Sequence, residues 1–175
     1  MGIYRFEDRV PSIGEGTFVF ETATVVGDVV LGKDVYVGPG AVVRGDYGSI
    51  VIGDRVSIEE NVVIHARPGE RTIIGNDVTL GHGCIVHNCT IEDNAIIGMG
   101  SVVSDYSHVG NWGVVAEGAV VKAKGRVEPE TVVTGVPAKP IRKIDDHYKE
   151  QYTFFKANYA DLARRYPKGL ERLDR

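Results

Sequence analysis

The chain has 175 residues, 43% of them hydrophobic, and a formal net charge of -4. That charge argues against a nucleic-acid or acidic-membrane partner, and no apolar run reaches the roughly eighteen residues a membrane span requires. Two cysteines make no disulfide framework and the N-terminus, Met1-Gly2-Ile3-Tyr4-Arg5, lacks a secretory layout, so a soluble cytoplasmic protein is expected.

Glycine occurs 22 times against 7 prolines, and valine and isoleucine are spread throughout, as in short strands joined by tight turns. After a lead of Met1 to Pro11, an aliphatic residue recurs every six positions. The series runs Val19, Val25, Leu31, Val37, Val43, then Ile52, Ile58, Ile64, then Ile74, Leu80, Val86. A second series follows at Ile91, Ile97, Val103, Val109, Val115 and Val121. Small or β-branched residues, among them Ala23, Val35, Ala41, Val78, Cys84 and Ala119, come four positions after most of these. A period of six fits no amphipathic helix, whose stripe recurs at three and four. It fits an all-β solenoid, a parallel β-helix in which each hexapeptide is one flat side and about 18 residues close a three-sided coil.

The register slips three times. Val43 to Ile52 is nine residues around Asp46-Tyr47-Gly48, and Ile64 to Ile74 is ten around Arg67-Pro68-Gly69-Glu70; both are expected as loops extruded at a corner. Val86 to Ile91 is one residue short of six. The pattern is expected to loosen over Arg126 to Thr131 and to close at Val133 to Ala138. The β-helix is therefore placed at 1–138 and a C-terminal α-helix at 139–175. Tyr148, Tyr152, Phe155, Tyr159, Leu162 and Tyr166 form the predicted apolar face of that helix, packed on the solenoid or on a neighbouring subunit. Asp145 and Asp146 suit its first turn and Arg164-Arg165 its last, with Pro167 and Gly169 expected to stop it.

Register also places three of the five histidines. His65 follows Ile64 by one and His87 follows Val86 by one, and these aliphatics are 22 residues apart, one coil plus the four-residue loop. The two imidazoles should stack at one strand spacing, about 4.8 Å, close enough to share an ion. His82 lies two positions past Leu80, on another side, and reaches the pair only from a second subunit. Three imidazoles with an open fourth position are the donor set of a catalytic zinc, which makes its bound water acidic. Arg44 falls one coil below His65, with Asp46 two residues on, and Glu59 and Glu60 fall beneath His82; proton transfer or anion orientation is one reading of all four, solvated surface charge the other. Cys84 reads as core filler, Cys89 has no register with the trio, and His108 and His147 read as surface or hydrogen-bonded residues.

The repeat resembles the hexapeptide-repeat family, whose members form left-handed β-helices and trimerise. Within it, Arg44-Gly45-Asp46, Gly53-Asp54-Arg55, Val63-Ile64-His65 and Gly81-His82-Gly83-Cys84-Ile85-Val86-His87 resemble the γ-class carbonic anhydrases. That resemblance implies a homotrimer with zinc, iron or cobalt between subunits, ligated by His65, His82 and His87. It makes Arg44 and Asp46 an interface pair near the metal, and matches Tyr159 to a tyrosine of the family's terminal helix. Glu59-Glu60 departs from the Gln-Asp of many members, and a carboxylate cannot donate as the amide does unless protonated. The loop after His65 is short, with Glu70 its only carboxylate. Tyr36-Val37-Gly38-Pro39-Gly40, Arg44-Gly45-Asp46-Tyr47-Gly48 and Val121-Lys122-Ala123-Lys124 are similar to the phenylacetate-degradation thioesterases and the carnitine-operon proteins. The expected activity is a lyase reaction, CO2 to bicarbonate. Acyl-CoA thioester hydrolysis at the same metal, with Lys122 and Lys124 for the CoA phosphates, is one alternative, and a non-catalytic trimeric scaffold is the other.

Overall fold

The computed structural model describes residues 2–174; Met1 and Arg175, the outer ends of the two ranges assigned from sequence, lie outside the described residues. The hexapeptides wind into a parallel β-solenoid with three sides. On one side, Val25, Val43, Ile64, Val86, Val103 and Val121 are paired in register from coil to coil. A second side stacks Ile13, Leu31, Ile52, Ile74, Ile91, Val109 and Val127 in the same way. The third stacks Val19, Val37, Ile58, Leu80, Ile97, Val115 and Val133. All three columns point inward and, apart from the partly buried Ile13 at the first coil, are buried, as are the small residues Ala23, Ala41, Cys84, Ala95 and Ala119 between them. Each buried Val, Leu or Ile is worth about 1.5–3 kcal/mol, and since each coil repeats the pattern, stability accumulates along the axis.

The first slip puts its extra residues outside the ladder, as expected, though without interrupting the strand. Val42–Ile52 is one strand, with Arg44-Gly45-Asp46-Tyr47-Gly48 inside it, and it pairs with Thr24–Leu31 over Val42 to Gly45 and again over Ile50 to Ile52. Between these two stretches Asp46 to Ser49 bulge opposite Asp28 alone, with Tyr47 61% exposed. Close backbone approach makes this possible: Gly27 has φ +83, and a Cβ there would sit 2.2 Å from the Gly45 carbonyl oxygen. The second slip is a loop, as expected, between Val63–His65 and Arg71–Ile74. Over Arg126 to Thr131 the pattern does not loosen. Val127 pairs with Val109 and Val132 with Val114, because Val127 and Val133 continue the six-residue series past Val121.

Lys139–Lys143 turns back as an antiparallel strand on Thr131–Thr134 before the helix begins. Helix α1, Asp146–Gly169, is capped by Asp145, whose side chain accepts from the Tyr148 N–H, and it passes through Pro167 instead of stopping there. Its buried line is Lys156, Ala160 and Ala163, while Phe155, counted above in the apolar face, is 46% exposed. Tyr148, Tyr152, Tyr159 and Tyr166 of the expected face do pack on the solenoid, and the small Ala160 and Ala163 beside them let the helix lie close to the coils.

α1 covers the third side. Tyr166 stacks on Phe18 with ring centroids 5.2 Å apart, and Tyr36 lies 5.5 Å from Tyr159. At the other end Ile96, Val114 and Val132 pack with Ile144, Trp112, Tyr148 and Tyr152. Three cations tie α1 to one corner of the triangle, where Asp34, Asn94, Trp112 and Glu130 all adopt positive φ. Arg164 binds the Asp34 carboxylate, Lys149 binds Glu130, and Lys156 donates to the Asn94 carbonyl while lying 4.3 Å above the Trp112 ring. Spacing explains the fit: Asp34 to Glu130 is five rungs, about 24 Å, and Lys149 to Arg164 is about 22 Å of helix. Among the described residues no helix is long and apolar enough to cross a membrane.

Candidate metal centre

Two polar clusters stand out on the solenoid, and together they take up every site residue named from sequence. The first lies one residue past the inward column of the first side. Arg44 pairs with His65, and His65 with His87, in strand register. His65 Nδ1 lies 3.2 Å from His87 Nε2. The far nitrogen of each ring meets a carboxylate: His65 Nε2 lies 3.1 Å from Asp46 Oδ1, and His87 Nδ1 lies 2.7 Å from Asp105 Oδ1. Each carboxylate is in turn held by an arginine. Arg44 donates to Asp46 within the same chain, and Arg67 grips Asp105 through Nε and Nη2 at 2.9 and 2.7 Å.

This arrangement fixes the ionisation pattern. Arg67 first, and then His87, hold the Asp105 carboxyl at about 2 against the effect of burial. Burial alone would raise Asp46, but hydrogen bonds from Arg44 and His65 outweigh it and keep that carboxyl below its ordinary value. Burial, with Arg44 nearby, lowers the His65 imidazole, favouring the neutral ring. Ionised carboxylates only accept, so the ring nitrogens facing them carry the hydrogens. When both rings are neutral the nitrogens that face each other carry lone pairs, a donor pair suited to a shared cation. Two nitrogens bound at about 2.0–2.1 Å to one tetrahedral ion lie about 3.3 Å apart, so the observed 3.2 Å fits a shared metal.

The second cluster sits where the first and third sides meet. Glu59 is 5% exposed, and its Oε2 accepts from the main-chain N–H of His82 at 3.2 Å and lies 3.0 Å from His82 Nε2. Glu60 Oε2 lies 2.5 Å from His82 Nδ1, and Tyr36 donates to Glu60 Oε1 at 3.3 Å. Tyr159, delivered by α1, donates to Glu59. Burial pushes the Glu59 carboxyl up, with His82 and Tyr159 opposing. Burial also raises the hydroxyls of Tyr36 and Tyr159, so both remain donors.

Within one chain these clusters stay apart. Among the described residues no three His, Cys, Asp or Glu side chains of a single chain gather closely enough to hold an ion. The His82 side chain is 47% exposed, and both its ring nitrogens lie against carboxylates of its own chain, Nε2 against Glu59 and Nδ1 against Glu60. Cys84 and Cys89 are both buried in the core, where burial pushes their thiols up to about 12, so neither serves as a thiolate ligand. His108 sits against Glu92 on the second side.

Asp105, Arg67 and Tyr36 were not singled out from sequence. Asp105 was within reach, since Val86 to Val103 is 17 residues, one coil less the one-residue slip, which puts Asp105 just beyond the rung of His87. Arg67 lies in the loop, where the repeat assigns no direction.

Comparisons with known proteins agree with this architecture. The profile of the bacterial transferase hexapeptide (six repeats) matches residues 11–45, and that of the GMPPB C-terminal domain matches residues 47–153. The carnitine operon protein CaiE of Escherichia coli is 36% identical over 168 residues, 94% of this chain and 84% of its own. Among solved structures, the BC4754 gene product of Bacillus cereus superposes with a TM-score of 0.91 at 31% identity, covering 94% of this chain and 95% of its own. A hexapeptide transferase family protein from Anaplasma phagocytophilum gives a TM-score of 0.88 at 33% identity, covering 93% and 96%.

Proposed function

The chain belongs to the bacterial hexapeptide-repeat transferase family, and from that premise we propose that it is a γ-carbonic-anhydrase-like member, a homotrimer that hydrates CO2 to bicarbonate. The observation that carries this reading is the facing pair His65 Nδ1 and His87 Nε2 at 3.2 Å, each ring held from behind by a carboxylate. His82 of a neighbouring chain completes the set by releasing one of its two carboxylate contacts, to Glu59 or to Glu60. Zinc is the first choice for three imidazoles, with iron or cobalt as alternatives. When bound, the ion supplies an acidic water as the nucleophile.

The chain's own residues do the rest. Asp46 and Asp105 orient the two rings and Arg44 and Arg67 keep those carboxylates ionised, while Glu59, steadied by Tyr159, and Glu60 are placed to position His82 and to move a proton. Support for association comes from the outward residues beside the histidine column. Val63 and Ile85 are 38% and 43% exposed, and Val102 and Val120 continue the same stripe. Such a stripe next to a two-thirds-complete donor set favours burial against another copy.

One observation favours a second reading, acyl-CoA thioester chemistry. His82 Nδ1 and Glu60 Oε2 form the carboxylate–imidazole pair that a general base needs, and Lys122, one residue past Val121 on the first side, offers a cation for an anionic substrate.

The deciding experiment assays zinc-loaded protein for CO2 hydration and for acyl-CoA hydrolysis beside a His82→Ala variant. The first reading expects CO2 hydration that falls at least tenfold in the variant, together with weakened zinc binding. Thioester hydrolysis alone supports the second reading. Loss of neither activity nor zinc affinity in the variant refutes the inter-subunit site.

A further inference from the structure

We propose that Asp105, gripped by Arg67, is the positioning residue that fixes the ring orientation and tautomer of His87. The inference deepens the metal reading and rests on it for its consequence, but its geometry stands independently. Both Asp105 oxygens are engaged by the Arg67 guanidinium, through Nε and Nη2, so Asp105 meets His87 as a carboxylate. An ionised carboxylate 2.7 Å from Nδ1 requires the hydrogen on Nδ1 and, in the neutral ring, leaves the lone pair on Nε2. That nitrogen is the one aimed at His65.

Arg67 and Asp105 are 38 residues apart, and Arg67 reaches past the intervening rung of Asn88 to make the pair. The loop it comes from is anchored. The Arg67 N–H donates to Asn88 Oδ1, the Asn88 N–H donates to Thr72 Oγ1, and the Thr72 hydroxyl donates to the His65 carbonyl. Asn88 and Thr72 are both buried. The loop after His65 therefore returns to the partner imidazole through Asp105, and the four extra residues give Arg67 the room to do so. Outer contacts of this kind hold ligating histidines in one tautomer and raise their basicity.

The competing account is an ordinary surface ion pair, since the Arg67 side chain is 51% exposed. Such a pair affects neither a tautomer nor a metal affinity, so the two accounts part in measurement. Full-length protein, Asp105→Asn and Arg67→Ala would each be compared by 15N NMR of the histidine rings without metal, by zinc competition against a chromophoric chelator, and by unfolding midpoint. In the unsubstituted protein His87 should carry its hydrogen on Nδ1. In Asp105→Asn the amide can donate, and the hydrogen should move to Nε2. The apparent zinc dissociation constant should rise about 10–100-fold in Asp105→Asn, and less in Arg67→Ala, with little change in unfolding midpoint. An unchanged tautomer in Asp105→Asn, or an unchanged zinc constant beside a shifted tautomer, overturns the proposal or its metal consequence respectively. A tautomer shift in a protein whose unsubstituted form binds no zinc overturns the metal reading alone and leaves the positioning role standing. Should Asp105→Asn fail to fold, the Arg67→Ala ring spectrum decides in the same sense.

Discussion

Glu59 and His82 meet twice: Glu59 Oε2 accepts from the His82 main-chain N–H at 3.2 Å and lies 3.0 Å from its ring Nε2. A hydrogen bond from Tyr159 on α1 reaches the same carboxylate. One buried side chain therefore joins the terminal helix to the histidine that faces outward.

Replacing Glu59 by Ala should cost about 1–3 kcal/mol in denaturant unfolding, because it takes the acceptor from the His82 N–H and from the half-buried Tyr159 hydroxyl. Glu59→Gln keeps an acceptor and should cost less. Equal losses in the two variants would mean the acceptor is not what matters.

Lys156 makes stability depend on pH. Burial lowers its ammonium to about 7 from the ordinary 10.5. Between those values the unfolded chain binds the proton that the folded chain has released. Stability should therefore rise with pH from about 7 to 10.5, by at most about 1.4 kcal/mol per pH unit, and this group adds no slope below 7. Lys156→Met should abolish that slope in unfolding measured across the window; persistence of the slope assigns it to another group.

The docking of α1 should rest on rings more than on ions. Arg164→Ala removes an exposed pair with Asp34 and should cost under about 1 kcal/mol. Tyr166→Ala removes the ring stacked on Phe18 and packed on Tyr36, and should cost about 2–3 kcal/mol by thermal unfolding. The reverse order would mean that the corner cations hold the helix.

Ile85 and Ile97 separate assembly from folding. Ile97 is fully buried, and Ile97→Ala should cost about 2–5 kcal/mol. Ile85 points outward at 43% exposure, so Ile85→Asp should leave the solenoid folded by circular dichroism. In sedimentation, the unsubstituted protein should run as three 19.0 kDa chains and Ile85→Asp as one. A trimeric Ile85→Asp places the interface elsewhere.

The solenoid is legible because six is a strong period: it numbers each inward aliphatic on its rung from Val19 to Val121. The same numbering put His65 beside His87 and Glu60 under His82. It failed where side chains reach across rungs, as Arg67 does to Asp105. On α1 it named the packed tyrosines but also the exposed Phe155, and passed over Lys156, Ala160 and Ala163, because a count of aromatic residues does not register the small side chains at the contact.

By itself, then, the sequence determined the three inward columns, the stacking of His65 on His87 and the offset of His82, because register in a solenoid is simple counting. Only the tertiary structure decided which carboxylate each imidazole meets, that Glu59 is buried against both His82 and Tyr159, and that Lys156, on the inner face of α1, is buried against the Asn94 carbonyl and the Trp112 ring. Those outcomes depend on side-chain reach and on the approach of a helix 130 residues away from Asp34, in Arg164, which no repeat encodes. The histidine pair of the opening register thus became a pair of lone nitrogens held 3.2 Å apart by two carboxylates, a geometry set by charge as much as by counting.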